Sequence, residues 1–314
     1  MRQFSILTPT LNRGKYLPRI FKSLCQQDDV DLEWIIMDGG STDGTKDIVD
    51  SFQNKFSIKF KSRENDGKAA ALNCGIQMAE SYITLVSLDS EDILCPNVLN
   101  TVWSYFDINS GYFFHNCAGL SGLCCYENGD IIGKKFPKDY YISDYIRCRE
   151  NKNIYGDKCD FFATNIIKQY PHPVYENIKY IVESTVYNRI ALKYRTLYLN
   201  QVFQEKQFFQ GGLTMQLNWI KYPPGSELFY NEASIPPFKL LLQIKNCGEY
   251  IFFAKINKKK LIYKNAKNKL VFPLGYISYL TLRIKYFLKR FKTLQNLNDF
   301  LKNKKNHWKK FKVE

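Results

Sequence analysis

Proline is scarce, 11 in 314 residues, and only 24% of the side chains are charged while 45% are hydrophobic. Such a chain can bury a core, which argues against a disordered or fibrous polymer. The nine cysteines include no C-x-x-C pair, and no Cys/His group has metal-ligand spacing. They fit reduced, mostly buried thiols of a cytosolic protein better than a zinc site or a disulfide scaffold. No run of eighteen apolar residues occurs; the best candidate, Leu270 to Leu288, carries Arg283 and Lys285, so a spanning helix is not expected. Met1–Thr8 goes straight into a strand-like run, without the apolar stretch and small-residue cleavage site of a signal peptide. Neither G-x-G-x-x-G nor G-x-x-x-x-G-K-[ST] occurs, which leaves out the dinucleotide and P-loop fingerprints.

What the chain has in excess is positive charge, and that charge is localised. The net is +15; residues 255–314 hold 18 Lys/Arg against 2 Asp/Glu, and the remaining 254 residues hold 27 against 28. A neutral body with a cationic tail points to an anionic surface as partner, a membrane or a nucleic acid. The length suits one large α/β domain with an appendage, or two medium domains.

The first hundred residues alternate short apolar runs with helical periodicity, the pattern of a sheet with crossover helices. Phe4–Thr8, Leu32–Met37, Ser57–Phe60 and Tyr82–Leu88 are the expected strands. Helices are expected from Tyr16, after Thr42 or Asp43 as N-cap, over Lys68–Ala79 and over Pro96–Phe106. Further on, Tyr112–Leu120 and Leu123–Ile132 predict two strands, Ser184–Tyr194 a helix and Thr196–Phe203 an extended run. Pro223-Pro224-Gly225 forms a natural boundary before helices in 226–254.

In open α/β sheets, ligands sit beyond the carboxyl ends of the strands. Polar clusters follow three of the expected strands: Thr8–Arg13, Asp38 with its glycines, and Asp89-Ser90-Glu91-Asp92. One such cluster is an ordinary turn; three on one edge point to a shared ligand. The carboxylates of Asp89, Glu91 and Asp92 repel one another unless a cation or open water separates them. Mg²⁺ and Mn²⁺ take oxygen ligands and share one or two carboxylates with substrate phosphates. The same residues also suit a solvent-facing acidic helix start near Pro96.

Ser5-Ile6-Leu7-Thr8-Pro9-Thr10-Leu11-Asn12-Arg13 and Glu33-Trp34-Ile35-Ile36-Met37-Asp38-Gly39-Gly40-Ser41-Thr42-Asp43-Gly44-Thr45 together resemble the opening of family 2 glycosyltransferases. Asp66-Gly67-Lys68 with Ala71–Ile76 resembles that family's next block, and Leu88–Pro96 its D-x-D block. The resemblance covers about residues 4–100. It implies an α/β GT-A fold, a Rossmann-like nucleotide-sugar-binding sheet with flanking helices. It also implies a nucleotide-sugar donor, a divalent metal (Mn²⁺ or Mg²⁺) and transfer with inversion at the anomeric carbon. By position, Thr8, Pro9 and Asn12 are expected to line the nucleoside pocket and Asp38 to bind the base, uracil for a UDP-linked donor. Asp66 and Lys68 are expected near the nucleoside and diphosphate, and Asp89, Glu91 and Asp92 at the metal. Gly39 stands where the family often has a second Asp, and Glu91 where Asp is commoner.

The resemblance also requires a base for the acceptor hydroxyl. Gly156-Asp157-Lys158, Tyr170-Pro171-His172-Pro173 and Glu176–Ser184 resemble acceptor-side blocks of a sub-group. Glu183 is the expected base and Asp157 the second choice, since a carboxylate within hydrogen-bond reach can do this work. Glu183 also suits an ordinary helix N-terminal acid, and Asp157 with Lys158 a loop charge pair. His172 is expected to pack, and Gly211-Gly212-Leu213-Thr214 resembles a loop near the donor.

Three regions are expected: a nucleotide-sugar-binding half over 1–110, an acceptor-binding half over 111–222, and a helical basic extension over 223–314. In the last, Ile277, Leu280, Ile284, Phe287, Leu288 and Phe291 fall on one helical face and Arg283, Lys285, Lys289, Arg290 and Lys292 on the other. That suits peripheral contact with an anionic membrane through residues 270–314, or an apolar face packed on the catalytic domain. No nucleic-acid motif accompanies the charge. The expected role is a peripheral enzyme at the inner face of the cell membrane, with a glycan or lipid-linked glycan as acceptor. A sugar-phosphate nucleotidyltransferase lacks its glycine-rich first loop here; a non-catalytic carbohydrate-binding or scaffold protein of the same fold is the remaining rival.

Overall fold

Seven consecutive buried residues make strand β2 (Leu32–Asp38) a strand covered on both faces. In the computed structural model, which describes residues 2–52, 55–106, 117–175, 181–207 and 223–285, β2 lies within one mixed sheet. Strand β1 (Arg2–Thr10) pairs in parallel with β2 and with β4 (Ser81–Leu85), and β3 (Ser57–Ser62) adds in parallel to β2. Crossovers run through α1 (Leu17–Leu24), α2 (Thr45–Asp50) and α3 (Lys68–Met78). Beyond β4 the order continues through β8 (Lys158–Ala163), β6 (Cys117–Tyr126), β9 (Arg195–Lys206) and the short β5 (Ile93–Leu94). A further short strand, β7 (Tyr141–Ser143), pairs with β9. Helices α4 (Val98–Phe106), α5 (Thr164–Ile167) and α6 (Ser184–Ala191) complete this unit, Met1–Gly225.

Strand alternation divides the core between the two sheet faces. Phe4, Ile6, Trp34, Ile36 and Phe161 pack with Leu17, Ile20 and Val102 on one face. Their neighbours Leu7, Ile35, Met37 and Phe162 pack with Leu72, Ile76 and Val186 on the other.

Strand direction decides what reaches the carboxyl edge of the parallel strands. Strand β8 runs antiparallel to β4, so its start lies at that edge; β6 and β9 both finish there. Residues just after β4, just before β8 and at the end of β9 therefore converge, although more than a hundred positions separate the first from the last.

Two expected elements differ. The break between 120 and 123 is absent: β6 runs unbroken through Ser121 and Gly122. A Cβ on Gly122 would stand 2.1 Å from the Phe203 ring, so this glycine serves packing rather than a turn. The N-cap of α2 is Gly44 with φ of 78°, and Asp43 instead accepts the Thr45 backbone N–H at 3.2 Å. The expected strand portion over Tyr112–Asn116 lies outside the described residues.

The second unit, Ser226–Glu314, holds most of α7 (Pro223–Glu232), then α8 (Leu240–Ile256), α9 (Ile262–Asn265) and α10 over residues 272–285. Its own core joins Cys247, Tyr250, Ile251 and Ala254 to Val271 and Tyr279. Among the described residues no helix is long and apolar enough to cross a membrane.

Candidate functional site

The loops after β1 and β2 are clasped together by their own polar groups. Asn12, with φ of 52°, donates its backbone N–H to Ser41 Oγ at 2.7 Å, and its side-chain oxygen accepts the Thr42 N–H at 2.9 Å. Asp38 accepts from the backbone of Gly40 (3.1 Å) and Ser41 (3.0 Å), from Ser62 Oγ (2.7 Å) and from the Ser41 hydroxyl. Its carboxylate thus shapes the loop itself. Arg63 donates its backbone N–H to the Asp38 carbonyl at 3.0 Å and pairs with Asp66 at 2.5 Å, which ties Asp66 to the same edge. The Pro9 carbonyl accepts from Ser90 Oγ at 3.1 Å, joining the first loop to the 89–92 segment.

Thr8 requires a correction. It is fully buried, and its Oγ1 accepts the Trp34 indole N–H at 2.9 Å. The side chain faces the core with Phe4 and Ile6, as strand parity requires, so only the Thr8 backbone is left to meet a ligand at this edge.

At the convergence point, two lysines bridge four carboxylates. Lys68, the first residue of α3, lies 2.7 Å from Asp89 and 2.8 Å from Glu183. Lys206, the last residue of β9, lies 3.0 Å from Asp92, 3.2 Å from Asp157 and 3.8 Å from Asp89. Burial alone would lower the pKa of either lysine, but the carboxylates outweigh it and both are raised. Burial would raise Asp89, yet Lys68 and Lys206 hold it below the usual carboxylate range. Glu91 pairs with Arg13 at 3.0 Å; burial with the nearby Asp89 charge still leaves its pKa raised.

Asp157 is delivered by a braced loop. Arg149 donates to the carbonyls of Ile154 and Gly156, both at 2.8 Å, and Lys158 to those of Ile132 and Asp157, both at 3.1 Å. Gly156 has φ of 90°, and a Cβ there would meet the Ile132 carbonyl oxygen at 2.4 Å. Only glycine fits that crossing. Glu183 directly precedes α6 and comes from the other flank. Next to it, the His172 backbone is clamped by the Asn73 side chain through bonds of 2.7 and 2.8 Å. Burial pushes the His172 pKa down to about 4.

The structure thus gathers Lys68, Asp89, Asp92, Asp157 and Glu183, sets Asp38, Asn12, Pro9 and Asp66 along the same edge, and turns the Thr8 side chain into the core. Lys206 was not foreseen. The only signal for it was a basic residue two positions beyond Gln204 at the end of an apolar extended run. The Gly211–Thr214 loop lies outside the described residues.

A divalent ion can be tested against the residues present. Mg²⁺ and Mn²⁺ need only one or two carboxylates when phosphates and water complete the shell, and the oxygens of Asp89 and Glu91 suit that form. Asp92 does not. Its side chain is 3% exposed and bonded to Lys206 and to Gln204 Nε2 at 2.7 Å, so it braces the site from inside. Among the described residues no three Asp, Glu, His or Cys side chains converge to hold a metal.

Residues 5–116 match the model of glycosyl transferase family 2. That match covers about a third of the chain. The chain is 26% identical over 289 residues to a Campylobacter jejuni protein, GalNAc(5)-diNAcBac-PP-undecaprenol beta-1,3-glucosyltransferase, covering 84% of this chain and 87% of that one. Staphylococcus aureus TarS 1–349, solved in complex with UDP-GlcNAc, superimposes with a TM-score of 0.62 at 19% identity, over 83% of this chain and 77% of that one. The mannosyltransferase PcManGT of Pyrobaculum calidifontis, solved with GDP-Man and Mn²⁺, gives 0.54 at 18% identity, over 90% and 80%. These likenesses show the GT-A fold. The chain's matches span 24% and 33% of the first two curated relatives.

Two consequences of this geometry are measurable in the first unit. Lys206→Met leaves Asp89, Asp92 and Asp157 facing one another, so chemical denaturation should show a loss of about 3–5 kcal/mol. Lys206→Arg should recover part of it. His172 has an ordinary pKa of 6.5 and about 4 when folded. The unfolded chain therefore takes up a proton first as pH falls. This contribution to stability is complete above pH 6.5 and lost on acidification, reaching about 3 kcal/mol at pH 4. The unfolding free energy of the native chain relative to His172→Phe should fall by that amount between pH 7 and 4.

Proposed function

We propose that the chain is an inverting glycosyltransferase. It moves a sugar from a nucleotide-linked donor, UDP-linked, to a hydroxyl of a glycan or lipid-linked oligosaccharide in surface-glycan synthesis. The family match over residues 5–116 and a relative named for glucosyl transfer to a polyprenol-linked glycan support this reading. TarS, solved with UDP-GlcNAc, supports the UDP-linked donor.

The observation that carries the proposal is the position of Lys68, whose ammonium touches Asp89 on the donor side and Glu183 on the acceptor side. A departing diphosphate accumulates negative charge, and fixed cations at that place stabilise it more than water does. Lys68 and Lys206 are such cations. The anomeric C–O bond to the diphosphate breaks as the acceptor oxygen bonds to the same carbon. Glu183 takes the acceptor's proton, and the nucleoside diphosphate leaves with the bond's electron pair. Asp157, on the Lys206 side, is the second choice for the base. Mn²⁺ or Mg²⁺ at Asp89 and Glu91 would supply further charge neutralisation at the diphosphate. Asp38 holds the base-side loop, and in this reading exchanges one of its loop donors for the nucleobase.

Calorimetric titration with UDP, GDP, TDP and CMP, with and without Mn²⁺, tests the proposal. UDP should bind with metal dependence, and Asp38→Ala should weaken it about tenfold or more. Glu183→Gln should keep nucleotide affinity yet lose about 10²-fold or more in transfer rate. If none of the nucleotides bind, the chain is instead a non-catalytic GT-A-like carbohydrate-binding or scaffold protein.

A further inference from the structure

The second unit carries an apolar surface that its own packing does not use. Helix α10 turns Gly275 and Tyr279 inward, with Val271 just before it, and they pack with Cys247 and Tyr250 of α8. Its other side presents Leu274 (49% exposed), Ile277 (60%), Leu280 (43%) and Ile284 (61%), with Leu270 (93%) just before the helix. At 100° per residue the four helical positions fall within about 120° of arc. The row that sequence periodicity placed on one helical face is the outer face, because small Gly275 and the Tyr279 ring make the inward contact. Isolated exposed leucines are ordinary, but a continuous row is not.

The charge around that row has one sign. Between residues 226 and 285 there are eleven Lys/Arg and three Glu, with no Asp, and all eleven cationic residues are exposed. Lys258, Lys259 and Lys260 stand together before the exposed Leu261, and Lys269 adjoins Leu270. A nucleic acid would neutralise the lysines but offer nothing to Leu270, Ile277 or Ile284. A second copy of the same face would set like charges against each other. An anionic lipid bilayer satisfies both features: acyl chains take the apolar row, and phosphate headgroups take the ammonium groups.

We propose that residues 239–285 form a docking surface for an anionic membrane, with the Leu270–Ile284 row lying in the interface and the lysines at the headgroups. This surface belongs to the second unit and does not depend on the sugar-transfer reading.

The test uses the full chain and sedimentation with two kinds of vesicle, phosphatidylcholine alone and equal parts phosphatidylcholine and phosphatidylglycerol. The chain should pellet with the anionic vesicles, be released by salt, and remain in solution with the neutral ones. Ile277→Asp with Ile284→Asp should weaken vesicle binding about tenfold or more, with UDP titration of the variant unchanged. Lys258→Glu, Lys259→Glu and Lys260→Glu together should give a similar loss. No binding to anionic vesicles overturns the proposal, as does binding that the isoleucine substitutions leave intact. Self-association without lipid that the same substitutions abolish assigns the face to a second copy and also overturns it.

Discussion

One ammonium group organises the site. Lys68 begins α3, and its Nζ sits between Asp89, which follows β4, and Glu183, which precedes α6. Without that cation the two half-buried carboxylates would face each other, and like charges disfavour ionisation. With it, Asp89 and Glu183 are held at a fixed spacing before any ligand arrives. Lys206 repeats the device one step along, joining Asp89 to Asp92 and Asp157. The site is a chain of alternating charges rather than a cluster of acids.

That chain depends on strand direction. Parallel strands β1 to β4 send four loops to one edge, and the antiparallel β8 brings the segment carrying Asp157 back to it. Strand β9 runs parallel to β6 and ends with Lys206 at the same place. The loops there satisfy their own polar groups, as the Asp38 and Asn12 bonds show, so the edge is preorganised without a ligand. Preorganised charge is what stabilises a developing anion most effectively.

Much of this was legible in the sequence. Apolar runs closed by polar turns gave away β1, β2 and β4, and the acids at the ends of β2 and β4 were singled out together with Lys68, Asp157 and Glu183. What failed to show is instructive. Strand parity from Phe4 and Ile6 puts Thr8 on the core side, a step that positional matching to a family motif passes over. Asp92 belongs to an acidic cluster by sequence, but burial against Gln204 and Lys206 gives it a different part. Lys206 was hidden because its partners are fixed by the return of β8 and β9, which no local pattern encodes. In the second unit, periodicity found the apolar row of α10, but only packing against α8 decided which side faces out.

The claim that Lys68 couples the two halves of the site can be measured by a double-mutant cycle. Unfolding free energies of the native chain, Lys68→Met, Glu183→Gln and the double variant give the coupling directly. If the ion pair joins the two sides, the effects depart from additivity by about 1 kcal/mol or more. Additivity within about 0.3–0.5 kcal/mol would mean that Lys68 and Glu183 act independently, and would contradict the account.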